Sequence, residues 1–196
     1  LRDQVERMLL DPKAAALTEN FAGQWLGLRA IDATMPDSML YPEYDDILKV
    51  SSVKETTLFF DEILKHDLSL TNFVDSDFAM LNGRLAEHYG IPDIEGMKFR
   101  KVPLAPGSHR GGVLTMASVL KVTANGTTTS PILRGAWVLD RILGTPPPKP
   151  NVDVEAIEPD IRGATTIREQ LAKHRDDPAC AGCHARIDPP GFALEN

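Results

Sequence analysis

Ser52-Val53-Lys54-Glu55-Thr56-Thr57-Leu58-Phe59-Phe60-Asp61-Glu62-Ile63-Leu64 carries the first decision about the fold. Thr56, Phe59, Phe60, Ile63 and Leu64 recur at steps of three and four, which gathers them on one face of an α-helix. Ser52, with Glu55 three residues later, has the spacing of a capping box and places the start of that helix at Ser52.

The same period extends in both directions. Toward the N-terminus, Ala14, Leu17, Phe21, Trp25 and Leu28 follow helical spacing. Before them, Asp11-Pro12 reads as an N-cap and first helical residue, after a short helix with Val5, Met8 and Leu9 on one face. Toward the C-terminus, Phe78, Leu81, Leu85 and His88 form a further helical face that Gly90 and Pro92 bring to an end.

The middle of the chain reads differently. Lys98–Leu104 alternates as a short strand, and Pro103 marks it as an edge. Gly107-Ser108-His109-Arg110-Gly111-Gly112 is a loop entering a helix; it lacks the Lys-Ser/Thr ending of a phosphate-cradling P-loop. Val113–Val122 is a helix or buried segment, and Asn125-Gly126 a turn. Ser130-Pro131 then opens a helix with Ile132, Ala136, Leu139 and Leu143 on one face and Leu133 and Trp137 beside it. Being apolar over most of its girth, it is expected at the centre of a second module. Gly144 ends it, and Pro146-Pro147-Pro148-Lys149-Pro150 forms an extended spacer. Thr166 and Glu169 make a second capping box, opening a helix with Ile167, Leu171 and His174 on one side. The expected class is mainly α, in two helical modules, the second with room for a short strand or hairpin.

That last helix leads into Cys180-Ala181-Gly182-Cys183-His184, which holds both cysteines of the 196-residue chain. C-x-x-C-H is the attachment signature of c-type haem. Two thiols at this spacing reach the two vinyl groups of one porphyrin, and the adjacent His184 supplies an axial nitrogen to iron. Three other uses compete for these residues. A thioredoxin-like dithiol needs a βαβ setting that does not precede Cys180. Structural zinc needs four ligands, and of His174, Cys180, Cys183 and His184 the adjacent last two would strain a tetrahedron. A disulfide across the loop leaves His184 unexplained.

The second axial ligand is open. Met116 leads, His174 on the approach helix follows, and Met80, Met97, His88 and His109 are further candidates, as is a residue beyond Asn196. Arg134 and Arg141, on one helix face, are either partners for haem propionates or members of a salt-bridged face. A net charge of −7 argues against a nucleic-acid partner. No apolar run is long enough to span a membrane, and no nucleophile elbow or catalytic triad is present.

Several strings together resemble a known family: Phe21-Ala-Gly-Gln-Trp25-Leu-Gly, Leu81-Asn-Gly-Arg-Leu85-Ala-Glu-His-Tyr-Gly90, and Thr129-Ser-Pro-Ile-Leu-Arg134-Gly-Ala-Trp137-Val-Leu. Gly144-Thr-Pro-Pro-Pro148, Asp160-Ile-Arg-Gly-Ala-Thr-Thr-Ile-Arg-Glu169 and Cys180-x-x-Cys-His-x-x-Ile-Asp-Pro-Pro-Gly-Phe192 complete the set. The chain resembles the large cytochrome c domain-containing proteins of planctomycetes and related bacteria, built from modules of unknown function. The resemblance implies a helical module over residues 1–97 and a haem-c-bearing module over 98–196. It implies an exported, multihaem protein of the periplasm or cell envelope, with further modules on both sides; a start inside a helix and an end soon after the motif agree with a fragment. Its partners would be a redox protein or other haem modules of the same polypeptide. By likeness to small cytochromes c, the carbonyl of Pro189 or Pro190 is the candidate acceptor for the second ring nitrogen of His184; the alternative is that these prolines only shape a turn. Electron transfer is the leading function, beside an oxidoreductase component and a binding or scaffold protein with a structural haem.

Overall fold

In the computed structural model, α1 (Arg2–Leu9), α2 (Ala15–Trp25) and α3 (Asp46–Lys65) are followed by β1 (Phe78–Leu81), α4 (Gly83–Tyr89) and β2 (Arg100–Pro103). Then come α5 (Ala117–Val122), α6 (Pro131–Trp137) and α7 (Pro178–Phe192). The structure describes residues 1–148, 166, 168–169, 172 and 178–195. It is mainly helical, with one two-stranded antiparallel sheet. The chain packs as two units, Leu1–Thr128 and Thr129–Asn196.

The first unit is organised on α3. Its N-cap is Asp45, not Ser52: the Asp45 carboxylate accepts the Leu48 N–H at 2.6 Å. Ser52 lies inside the helix, its hydroxyl donating back to the Lys49 carbonyl at 2.8 Å, and both Ser52 and Glu55 are buried. The expected capping box therefore does not form, because a carboxylate farther upstream already satisfies the first free amides. The predicted phase of α3 holds at Thr56, Phe59 and Ile63, all buried. On α2 the buried line is Thr18, Ala22 and Gly23, continued by Leu26, while Leu17 and Phe21 stay half exposed. Phe21 nevertheless has a partner, its ring centroid 5.4 Å from that of Phe60, and Trp25 meets Phe73 edge-on at 5.2 Å. No residue of α1 is buried.

Phe78 and Leu81 do not belong to a helix. They form β1, which pairs antiparallel with β2 in the register Phe78↔Pro103 to Leu81↔Arg100. The helix starts only at Gly83, where the Asn82 carboxamide caps it by accepting the Leu85 N–H at 3.0 Å and donating to Ser51 Oγ at 2.9 Å. Gly90, with φ +67°, closes it as expected. Leu48, Ala79, Leu81, Leu85, Ala86 and Val102 form one core cluster.

Because β2 completes this sheet and α5 packs on α3, residues placed by sequence in the second module lie within the first packed unit. The packing boundary falls after Thr128, later than the 97/98 boundary implied by the resemblance.

The Gly107–Gly112 loop also gains a physical reason. A Cβ on Gly112 would fall against the Phe73 carbonyl oxygen and the Val74 backbone, at φ +67°, and one on Gly111 against the Ser76 backbone. These glycines permit close backbone approach. Asp75, Asp77 and Arg110 line the same open groove, and the two carboxylates leave its charge net negative, which disfavours an anion such as phosphate. Gly112→Ala is expected to destabilise the first unit by about 2 kcal/mol or more, read as a lower denaturant midpoint.

In the second unit α6 has Pro131 at its first position and runs on through a π-helical turn, Val138–Ile142. Its buried line is Pro131, Arg134, Gly135, Val138 and Leu139, whereas Leu133 and Leu143 are exposed. The line is centred on a glycine because α6 meets α7 backbone to backbone. A Cβ on Gly135 would clash with the Ile187 carbonyl oxygen, and one on Gly191 with that of Pro131. The capping box of Thr166 and Glu169 forms as read, with reciprocal bonds of 3.0 and 3.2 Å. Ile167, Leu171, His174 and the spacer from Lys149 onward lie outside the described residues. No helix among the described residues is long and apolar enough to cross a membrane.

Candidate functional site

Cys180, Cys183 and His184 all sit on α7. At positions i, i+3 and i+4 they occupy neighbouring places on one side of a helix. Cys183 is exposed and outside any disulfide; the side chain of Cys180 is not among those described. His184 is half-buried against its own helix. Its Nδ1 lies 2.8 Å from Oδ1 of Asp188, one turn on. A carboxylate accepts there, so Nδ1 is the protonated nitrogen and Nε2 the one with a lone pair.

This arrangement corrects the reading of the Asp188-Pro189-Pro190 segment. It is not a turn: α7 continues through both prolines to Phe192. The Pro189 carbonyl accepts the Ala193 N–H at 3.0 Å, serving the helix rather than His184. The ring partner is the side chain of Asp188, which is 1% exposed. The prolines lack the N–H groups that Ala185 and Arg186 would receive. Both of those residues are exposed, so water is at hand for their carbonyls.

Arg134 belongs to the salt-bridged alternative. It is buried and pairs with the Glu195 carboxylate, while Thr129 Oγ1 donates to the same carboxylate at 2.6 Å and accepts from Arg134 at 3.0 Å. Burial lowers its pKa and Glu195 opposes that shift. Arg141 is exposed and pairs with Asp140 at 2.9 Å.

The candidates for a second axial ligand are placed as follows. Met116 is buried in the first unit, where its sulfur accepts a hydrogen bond from Thr56 Oγ1 at 3.3 Å. Met80 is half-buried, and His88, Met97 and His109 are exposed, in the same unit. Burial, then the cations of Arg110 and Arg84, lower the pKa of His88. His174 lies outside the described residues. No group of three or more His, Cys, Asp or Glu is arranged to hold a metal ion among the described residues.

The first unit holds a polar cluster that sequence reasoning missed. Glu55, 1% exposed, accepts from the Tyr89 hydroxyl at 2.6 Å, and the Ala117 N–H donates to that hydroxyl at 2.9 Å. The Arg110 guanidinium stacks 3.7 Å over the Tyr89 ring. Burial pushes the Glu55 carboxyl up to about 8, against the opposing pull of Tyr89 and Arg110. Glu55, Tyr89 and Arg110 line a small cavity of about 10 Å³, the room of about one water. The available signal was Glu55 itself, an acid inside the apolar repeat of α3.

Residues 1–91 match the model of PSD4, a protein of unknown function (DUF1592), and residues 110–196 that of PSCyt3, a protein of unknown function (DUF1588). No curated protein and no solved structure matches the chain. Two domains of unknown function thus follow one another, the second match beginning inside the first packed unit.

Proposed function

We propose that this tandem of DUF1592 and DUF1588 domains is an electron-transfer module that carries one covalent haem c on α7, within a larger exported protein. The observation that carries the reading is the C-x-x-C-H string on one helix side with its histidine ring already oriented by a buried carboxylate. The donor set suits the group. The thiols of Cys180 and Cys183 would hold the porphyrin through two thioethers, each formed by adding S–H across a vinyl group. His184, protonated on Nδ1, offers Nε2 to iron. Bound there, the haem supplies one-electron exchange. The Cyt in the family name PSCyt3 agrees with this reading. Covalent haem attachment, which bacteria carry out outside the cytoplasmic membrane, supports a periplasmic or cell-envelope location, with a redox protein or neighbouring haem modules as partner.

The test is co-expression of the full chain with a cytochrome c maturation system, followed by a pyridine haemochrome assay. We expect one covalent haem per chain, lost in Cys180→Ser plus Cys183→Ser. A chain that matures without covalent haem overturns the proposal and leaves the scaffold reading. Low-spin, six-coordinate iron supports electron transfer. High-spin iron that binds carbon monoxide rapidly supports the oxidoreductase reading instead.

A further inference from the structure

We infer that Asp188 is a positioning residue for the iron ligand: its buried carboxylate holds the Nδ1–H of His184, fixes the ring plane and makes Nε2 a stronger donor. The inference rests on the haem reading above and deepens it. Three observations support it. The contact is short, 2.8 Å, and joins residues one turn apart on the same helix, so forming it needs no loop to be ordered. Asp188 is almost fully buried, which keeps water from competing for the acceptor oxygen. The two residues that follow, Pro189 and Pro190, have φ fixed by their rings, which stiffens the backbone beside the carboxylate.

The chemical consequence turns on charge. A neutral carbonyl, the acceptor suggested by likeness to small cytochromes c, would orient the ring with a weaker bond. An anionic acceptor makes a charge-assisted bond, roughly twice as strong, and passes electron density through the imidazole to the metal. A more basic ligand favours the ferric over the ferrous state, so Asp188 is expected to lower the reduction potential of the site.

Asp188→Asn tests this, since it keeps the shape and an acceptor oxygen but removes the charge. In the haem-loaded chain we expect unchanged covalent haem yield and an equilibrium moved toward ferrous iron by about tenfold, roughly 59 mV for a one-electron couple. A shift of less than about threefold, with haem attached, overturns the electronic role of the carboxylate. A second measurement does not need the haem. In the haem-free full chain, 15N NMR of His184 should show the Nδ1–H tautomer, and Asp188→Ala should convert it to a mixture. An unchanged tautomer in that variant overturns the positioning role. Failure of the haem reading is separate, because it appears as absent haemochrome in the wild-type chain.

Discussion

Gly135→Ala is expected to unfold the second unit, although alanine is the better helix former. Helix propensity alone favours alanine over glycine by about 1 kcal/mol. At this position the added methyl would clash with the Ile187 carbonyl oxygen, with the Gly191 nitrogen also in close contact. Neither obstacle is the end of a flexible side chain; both are backbone. To make room α6 and α7 must part, and the burial of Val138, Leu139, Ile187 and Phe192 is lost with them. We expect a cost above about 4 kcal/mol, a large share of the about 5–15 kcal/mol that holds a domain folded. Gly191→Ala should act alike, through the Pro131 carbonyl. Gly182 supplies the control: it is exposed on α7, with nothing near its missing Cβ. Gly182→Ala should stabilise the unit by up to about 1 kcal/mol. Urea unfolding of the full chain followed by circular dichroism measures all three. A Gly135→Ala midpoint at or above that of the wild type would show that the helices are not in backbone contact.

Glu55→Gln should remove the loss of stability that Glu55 imposes on the first unit as pH rises from about 4.5 to about 8. The folded carboxyl holds its proton up to about pH 8, whereas the ordinary value is 4.5. Between these values the unfolded chain has released the proton and the folded chain has not. Stability is therefore greatest below the lower value and falls as pH rises through the window, by up to about 1.4 kcal/mol per pH unit. Above the upper value the full loss has been incurred, because a charge sits beside Tyr89 in the core with Arg110 as counterion. The glutamine amide keeps an acceptor for the Tyr89 hydroxyl and carries no charge at any pH. We expect wild type and variant to be nearly equal near pH 4.5 and the variant to be more stable by several kcal/mol above pH 8. Parallel slopes of stability against pH would refute the assignment of the transition to Glu55.

The helical class was legible because it rests on local repeats, and the phase of α3 was read correctly at Thr56, Phe59 and Ile63. Its start was not, since Ser52 and Glu55 imitate a cap while the true one, Asp45, precedes the repeat. Phe78 and Leu81 are three apart, which suits one helix face; their strand identity depends on partners at Pro103 and Arg100, far along the chain. The buried lines of α2 and α6 were misplaced for a shared reason. Each is centred on small residues, Ala22 and Gly23 or Gly135, where closeness of backbones rather than apolar bulk decides burial. The C-x-x-C-H string was legible as a short motif. Asp188 was not, because Asp-Pro-Pro reads as a turn and its i, i+4 relation to His184 exists only if the helix survives the prolines.

The glycine seam between α6 and α7 carries one more consequence. A contact made by side chains can settle into several rotamers, and so yields a little when a charge nearby changes. At Gly135 and Gly191 the contact is made by peptide groups, and peptide groups have no alternative packing. The helix bearing His184 and Asp188 is thus bolted at Ile187, the residue next to the carboxylate. Under the proposed function, this small reorganisation is what rapid exchange of a single electron demands of the matrix around a metal.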